Sequence, residues 1–248
     1  MNKIRKDIVA TFYIIFVIVT LVACGNKTEN YGLTKTIKQD CFVIHYAKGD
    51  KQAAQDVLES LENRSADILD KLNISDSETA RFYLFPEKQQ FVDAFPEKQI
   101  SDWTSGFAEG NTVYMISPSI YKMSKQRYEM QAKEIPVHEL VHCYVSQYFG
   151  KALPDSLLNE GLACYLSIDE QAIEESMRQV RVKKPDLGSL HTNPEVFYAC
   201  GPAYYAYLEN VYGWDKVLKL LESCDYEQAL GKDEQTVIGE WLESYETN

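Results

Sequence analysis

Two histidines and a glutamate lie within seven residues of each other in the segment Pro136–His142, which reads PVHELVH. If this segment is helical, His138 and His142 are four residues apart and their rings project from one face, where they can bind the same metal ion. Glu139 lies about 100° further round the helix, where its carboxylate can reach a water molecule on that ion. The HExxH spacing therefore predicts a zinc site with Glu139 as the general base on zinc-bound water.

A carboxylate downstream of this motif supplies the third ligand that a catalytic zinc ion normally needs, since such an ion keeps its fourth position open for water. Residues 154–163 read PDSLLNEGLA and place Glu160 among apolar residues on a second predicted helix. A buried carboxylate without a partner is costly, and a metal ion would offset that cost. Gly161 and Ala163 would let this helix pack closely on a neighbour. Glu160 is therefore the expected third ligand of one Zn²⁺, beside the two histidines.

The sequences HELVH and LLNEGLA, with 17 residues between His142 and Glu160, resemble the gluzincin superfamily of zinc metallopeptidases. They are most similar to its aminopeptidase branch and to bacterial peptidase MA-like domains. A third segment, Phe197–Leu208, is similar to a helix of that superfamily that begins Tyr-x-x-Gly. The resemblance implies a thermolysin-like zincin fold and hydrolysis of peptide bonds, with Tyr198 donating a hydrogen bond to the transition state.

Two positions depart from the superfamily pattern. Cys164 replaces a carboxylate that several relatives place behind the zinc histidines, so the group that orients those histidines is not identified. Residues 106–111 only partly match the strand with which the aminopeptidases bind a free amino terminus, and exopeptidase activity is unsupported. The strand around Val113–Ile116 is expected to run beside the cleft and pair with an extended substrate.

Two other functions use the same residues. One is a noncatalytic surface lipoprotein in which a zincin fold serves as a binding module, although such a module has no need of Glu139. The other is a zinc hydrolase that cleaves a non-peptide amide or ester. Of the remaining histidines, His45 is expected on a strand and His191 in a loop over residues 188–194, and neither is assigned a role.

The N-terminal segment has the layout of a bacterial export signal. Three basic residues precede an apolar run over residues 8–23, and these 16 residues are fewer than the roughly 20 that span a bilayer. The sequence Leu21–Cys24 resembles a lipobox, which implies that residues 1–23 are a lipoprotein signal peptide and that Cys24 carries the lipid. An uncleaved anchor is the alternative. We expect an extracytoplasmic protein, lipid-anchored to the cell membrane or the outer membrane.

The charge balance limits the partners. The formal net charge is −12, and residues 1–23 carry three basic side chains and one aspartate, so their removal leaves about −14. An acidic surface argues against nucleic acid and anionic lipid headgroups, which leaves the lipid as the membrane contact. The expected partner is a peptide or protein substrate, and the chain is expected to be a monomer. The five cysteines after Cys24 show no CxxC spacing and are expected to be mainly core thiols.

The order of predicted elements gives an α+β fold: a small sheet with helices, then a helical lobe, with the zinc-site helix between them. Strands are predicted at 42–46, 81–85, 105–107 and 111–116, a helix at about 51–72, and mainly helices from about residue 126. We expect a lipidated tether over residues 24–38. A single peptidase MA-like domain is then expected over 39–248, with its sheet lobe at 39–150 and its helical lobe at 151–248.

Overall fold

Five short strands form a mixed sheet in the first half of the chain. The computed structural model describes residues 31–150, 153 and 156–245, and residues 31–248 cluster as one unit. The strands are β1 (Lys35–Gln39), β2 (Phe42–Tyr46), β3 (Ala80–Phe85), β4 (Gly106–Glu109) and β5 (Thr112–Ile116). Their spatial order is β1-β2-β3-β5-β4; β2, β3 and β5 are parallel, while β1 and β4 pair antiparallel at the two edges.

Strand β1 corrects the predicted tether. Residues 24–30 of that tether, Cys24 and the predicted signal peptide lie outside the described residues, but Lys35–Gln39 pairs with β2 along its whole length. Four of its five side chains are exposed, and only Ile37 is partly buried. The polar composition of residues 24–38 predicted a tether. Backbone hydrogen bonds to β2 hold this edge strand in the sheet, and such bonds produce no pattern in the sequence.

Most of the remaining described chain is helical. The helix at about 51–72 and the mainly helical stretch from about residue 126 were predicted. Their bounds are α1 (Lys51–Lys71), α2 (Lys88–Asp93), a 3₁₀ turn (Pro118–Tyr121), α3 (Lys125–Glu129), a π-helical segment (Met130–Glu134), α4 (Ile135–Phe149), α5 (Ser156–Ser167), α6 (Glu170–Lys183), α7 (Leu187–Thr192), α8 (Pro194–Tyr212), α9 (Trp214–Ser223), α10 (Tyr226–Leu230) and α11 (Glu234–Glu243). The α+β class is confirmed. Within the described residues, none of these helices combines the length and the apolar character needed to cross a bilayer.

One predicted loop is wrong. Residues 188–194 were expected to be irregular, but His191 lies on α7, and α8 begins at Pro194. Helix α7 starts with a capping box, in which the Asp186 carboxylate accepts from the backbone of Ser189 and the Ser189 hydroxyl accepts from the backbone of Asp186. These reciprocal bonds stabilise a six-residue helix that is too short to show periodicity.

The main core lies between one face of the sheet and the helices. Alternate residues of β2, among them Phe42 and Ile44, are buried in this core, and β2 packs against α1. A second, aromatic cluster covers the opposite face, where Phe85, Phe91 and Phe95 pack together. With both faces covered, β4 offers its outer edge, which pairs with no strand in the described part of the chain.

Candidate metal centre

Helix α4 carries the HExxH residues and is almost wholly buried. Pro136 lies in its first turn, where the missing N–H interrupts no hydrogen bond, and Gly150 ends the helix with φ of +66°. The side chains of His138 and His142 are 11% and 15% exposed, so one narrow face of the helix opens to solvent. The helix predicted from the spacing is confirmed, and both imidazoles lie on the same side of it.

Helix α5 brings Glu160 to this face because α5 and α8 cross at two glycines. A Cβ placed on Gly201 would lie 2.6 Å from the Cα of Gly161, closer than real Cβ atoms come to any atom. Only glycine at this point lets the two backbones approach so closely. The close helix packing predicted from Gly161 is confirmed, and it fixes α5, with Glu160, against α8, with Tyr198.

Three potential ligand atoms form a small triangle. His138 Nε2 lies 3.1 Å from His142 Nε2 and 3.2 Å from Glu160 Oε2, and the third side, from His142 Nε2 to Glu160 Oε2, is 3.5 Å. Two imidazole nitrogens and a carboxylate oxygen that converge in this way could hold a metal ion. The structure therefore brings together all three residues that the sequence predicted as ligands.

The charges of the triangle are strongly coupled. Burial favours the neutral form of His138, but the adjacent Cys164 thiol and two carboxylates outweigh it and raise the pKa of His138 well above its usual value. Burial also favours protonated Glu160, yet hydrogen bonds with both imidazoles outweigh it and hold the pKa of that carboxyl well below its usual range.

Cys164 and Asn159 hold the ligands from behind. Cys164 Sγ lies 3.7 Å from Nδ1 of His138, within reach of a hydrogen bond to sulfur. Asn159 donates from Nδ2 to Oε1 of Glu160 at 3.1 Å, leaving Oε2 for the triangle. When Nε2 of His138 binds a metal ion, Nδ1 carries the proton and can donate a hydrogen bond to the sulfur of Cys164. The group behind this histidine, which the sequence did not identify, is Cys164 itself.

Glu139 lies at the base of the cleft and outside the triangle. It is 6% exposed, and its carboxylate packs against β4, since a Cβ on Gly106 would lie 3.5 Å from Glu139 Oε1. Burial raises the pKa of Glu139, while the two imidazoles partly oppose that shift. A buried carboxylate with a raised pKa is a stronger proton acceptor than an exposed one.

Tyr198 lies in the second turn of α8 beside the triangle. Its ring centroid is 6.1 Å from that of His138. Burial, the negative charge of Glu160 and a hydrogen bond with that carboxylate all raise its pKa. The phenol therefore stays protonated at neutral pH and keeps a proton to donate. The structure places Tyr198 at the site, where the sequence resemblance expected it.

The backbone hydrogen bonding of α8 is interrupted just after Tyr198, although the helix itself continues to Tyr212. Pro202 has no N–H to donate to the carbonyl of Tyr198. Ser176 of α6 inserts into the next backbone pair: its hydroxyl donates to the Ala199 carbonyl at 2.6 Å and accepts from the Ala203 N–H at 3.0 Å. The buried serine thus holds the turn that carries Tyr198 without a regular helical ladder.

Two cavities of about 200 and 380 Å³ meet in front of Glu139 and Tyr198. The larger of the two follows β4, from Gly106 to Ala108. Trp103 lines both, is 64% exposed, and makes an edge contact with Tyr198 at 6.3 Å between centroids. It lies in a loop, where periodicity does not predict orientation, so its place at the site could not be predicted from the sequence.

The other histidines and most cysteines lie elsewhere. His45 is on β2, as predicted, and stacks on Tyr83, while His191 faces Glu234. All five described cysteines are free, and Cys143 and Cys200 are buried as expected. A cavity of about 820 Å³ lies beside the cleft, between α1 and the start of α6, and none of the three triangle residues lines it.

No family model matches this sequence, and no curated protein matches it either.

Proposed function

We propose that the protein is a zinc-dependent metallopeptidase with a zincin fold of the gluzincin type. The observation that carries the proposal is the triangle of His138 Nε2, His142 Nε2 and Glu160 Oε2, with sides of 3.1, 3.2 and 3.5 Å. Tetrahedral zinc with bonds of about 2.0–2.2 Å separates its ligand atoms by about 3.3–3.6 Å. Two histidines and a glutamate are also a donor set that zinc peptidases use.

The neighbouring residues fit hydrolysis. When bound, zinc lowers the pKa of water toward neutrality and polarises a carbonyl oxygen. Glu139 is the proton acceptor, because its buried carboxylate has a raised pKa and faces the space between the triangle and β4. It returns the proton to the leaving amine. Tyr198, protonated at neutral pH, donates a hydrogen bond to the negative charge that develops on the carbonyl oxygen.

A peptide substrate is favoured by the outer edge of β4. Substrate pairing was expected at residues 113–116, and this expectation is wrong. Strand β5 lies between β3 and β4, so its backbone groups are already paired. Strand β4 (Gly106–Glu109) instead borders the cleft, and an extended peptide can bind along its free edge as an additional strand of the sheet. The lipid anchor at Cys24 and an extracytoplasmic location remain part of the proposal, from the sequence alone.

The test uses the full-length protein in detergent, loaded with zinc, and a proteome-derived peptide library. Wild-type protein should cleave a subset of peptides, while Glu139→Gln should bind zinc equally and lose turnover by a factor of about 10² to 10⁴. Glu174→Gln, which changes an exposed glutamate on α6, is the matched control and should leave turnover unchanged. Zinc binding without cleavage would favour the binding module or a hydrolase of non-peptide bonds, and a protein that binds no zinc would exclude all three.

A further inference from the structure

The 200 Å³ cavity beside Glu139 has apolar walls, to which Trp103, Met130, Ile135 and Ile168 contribute. At about 30 Å³ for each water molecule in the liquid, its volume equals that of roughly seven waters. A space of this size holds one side chain and is smaller than the cavities that take drug-sized ligands. It therefore fits a single residue next to the bond that is cleaved.

A carboxylate marks the far end of this cavity. Glu134 lines both the 200 Å³ cavity and the adjoining 820 Å³ cavity, and it precedes His138 by one helical turn. Its side chain makes no hydrogen bond or ion pair with the described residues. Burial and the nearby negative charge of Asp169 raise its pKa, so the local field disfavours its charged form. A positive group placed here would relieve that unfavourable charge.

The adjoining cavity offers little positive charge to compete for Glu134. Five acidic and three basic side chains line it: Asp56, Glu59, Glu129, Glu134, Asp169, Arg64, Lys125 and Lys133. Arg64 donates to the carbonyls of Leu166 and Ile168 at the end of α5. The two lysines lie 3.9 and 4.0 Å from the carboxylate of Glu129. With five acidic and three basic side chains, the lining has an excess of two negative charges, so the junction between the cavities remains negative.

We propose that the cavity selects substrates with a lysine or arginine next to the scissile bond, an inference that rests on the proposed peptidase function. The methylene stem packs along Ile135, Ile168 and the ring of Trp103. The charged head reaches Glu134 at the opening into the acidic cavity. Long basic side chains commonly bury their stems on apolar surface in this way while the head stays in a polar environment. Leucine or phenylalanine would fill the walls without forming an ion pair with this carboxylate, which is exposed to solvent at the junction.

The experiment compares peptides that differ at one residue on either side of a common bond. The variable residue is lysine, arginine, norleucine or glutamate; norleucine keeps an apolar chain without the charge. Wild-type protein should cleave the lysine and arginine peptides with a kcat/KM about 2- to 5-fold above that of norleucine, the size expected for an ion pair near the surface. Glu134→Gln should bring this ratio to about one, while Glu134→Lys should favour the glutamate peptide. Glu59→Gln, which changes an acid of the larger cavity only, should keep the wild-type preference.

Failure of the inference can be told apart from failure of the peptidase function. Cleavage with norleucine equal to or better than lysine, or a preference that survives Glu134→Gln, would overturn the inference and leave the peptidase intact. If wild-type protein cleaves no peptide, binding of the same peptides to zinc-loaded Glu139→Gln protein is measured by fluorescence anisotropy. Tighter binding of lysine than norleucine, lost on Glu134→Gln, would support the cavity assignment alone. Equal binding would overturn it.

Discussion

The crossing of α5 and α8 should tolerate no side chain at Gly201. A Cβ at this position would lie 2.6 Å from Gly161 Cα, whereas ordinary contact begins at about 3.4 Å. Because the opposing atom belongs to a backbone, it cannot rotate away, and the helices must separate by about 1 Å. Overpacking of this kind costs about 3 kcal/mol at the upper end of its usual range, and the better helix propensity of alanine returns about 1 kcal/mol. Gly201→Ala should therefore destabilise the fold by about 2 kcal/mol.

For a chain of this size that loss corresponds to a fall in Tm of about 4–8 °C. The same displacement moves Glu160 relative to Tyr198, and a misplacement of about 1 Å can lower turnover about 100-fold. Thermal unfolding followed by circular dichroism measures the first effect, and peptide hydrolysis the second. Both effects come from one backbone contact, so they should appear together.

Two further glycines give matched controls. Gly161→Ala would bring its Cβ to 3.2 Å from the ring of Tyr205 and 3.3 Å from the Cα of Gly201, which are milder contacts than 2.6 Å, so its Tm should fall less than that of Gly201→Ala. Gly239 lies inside α11 with nothing within 4 Å, and Gly239→Ala should raise stability by up to about 1 kcal/mol. If Gly201→Ala were as stable as Gly239→Ala, the close helix crossing would be refuted.

Substitutions at three other positions test the support of the site. Cys164→Ala should weaken zinc affinity about 10- to 100-fold in a chelator competition, and Cys164→Ser, which keeps an acceptor for His138, should lose less. Tyr198→Phe should lower kcat about 100-fold, and an unchanged kcat would contradict its role as a donor. Ser176→Ala removes both hydrogen bonds of the hydroxyl, but the Ala199 carbonyl and the Ala203 N–H are four residues apart on one helix and can then pair directly, so it should cost about 1 kcal/mol in urea unfolding. An unchanged midpoint would argue against the inserted serine.

The site residues on α4 could be predicted because a local spacing determines their geometry. His138 and His142 share a helical face whatever the rest of the chain does. Glu160 required a second helix packed on the first, and α5 does contact α4, while Gly161 brings α5 close to α8.

The remaining features depend on contacts between distant parts of the chain. Cys164 reaches His138 across 26 positions, and a sequence pattern does not show which thiol faces which imidazole. The outer position of β4 follows from the pairing of β3 with β5, which passes over the intervening strand. Trp103 contacts Tyr198 from a loop 95 positions away. Such arrangements are set by tertiary packing, while α1 and the strands follow from hydrophobic periodicity.

The central claim is that His138, His142 and Glu160 hold one zinc ion that stabilises the folded protein. The direct measurement is metal content after dialysis against a single equivalent of zinc, followed by thermal unfolding with and without chelator. We predict one zinc per chain in wild-type and Glu139→Gln proteins and about a tenth of an equivalent or less in His142→Ala. The Tm of the wild-type protein should fall on chelation, because bound metal stabilises only the native state. Wild-type protein without stoichiometric zinc, or with a Tm indifferent to chelator, would contradict it.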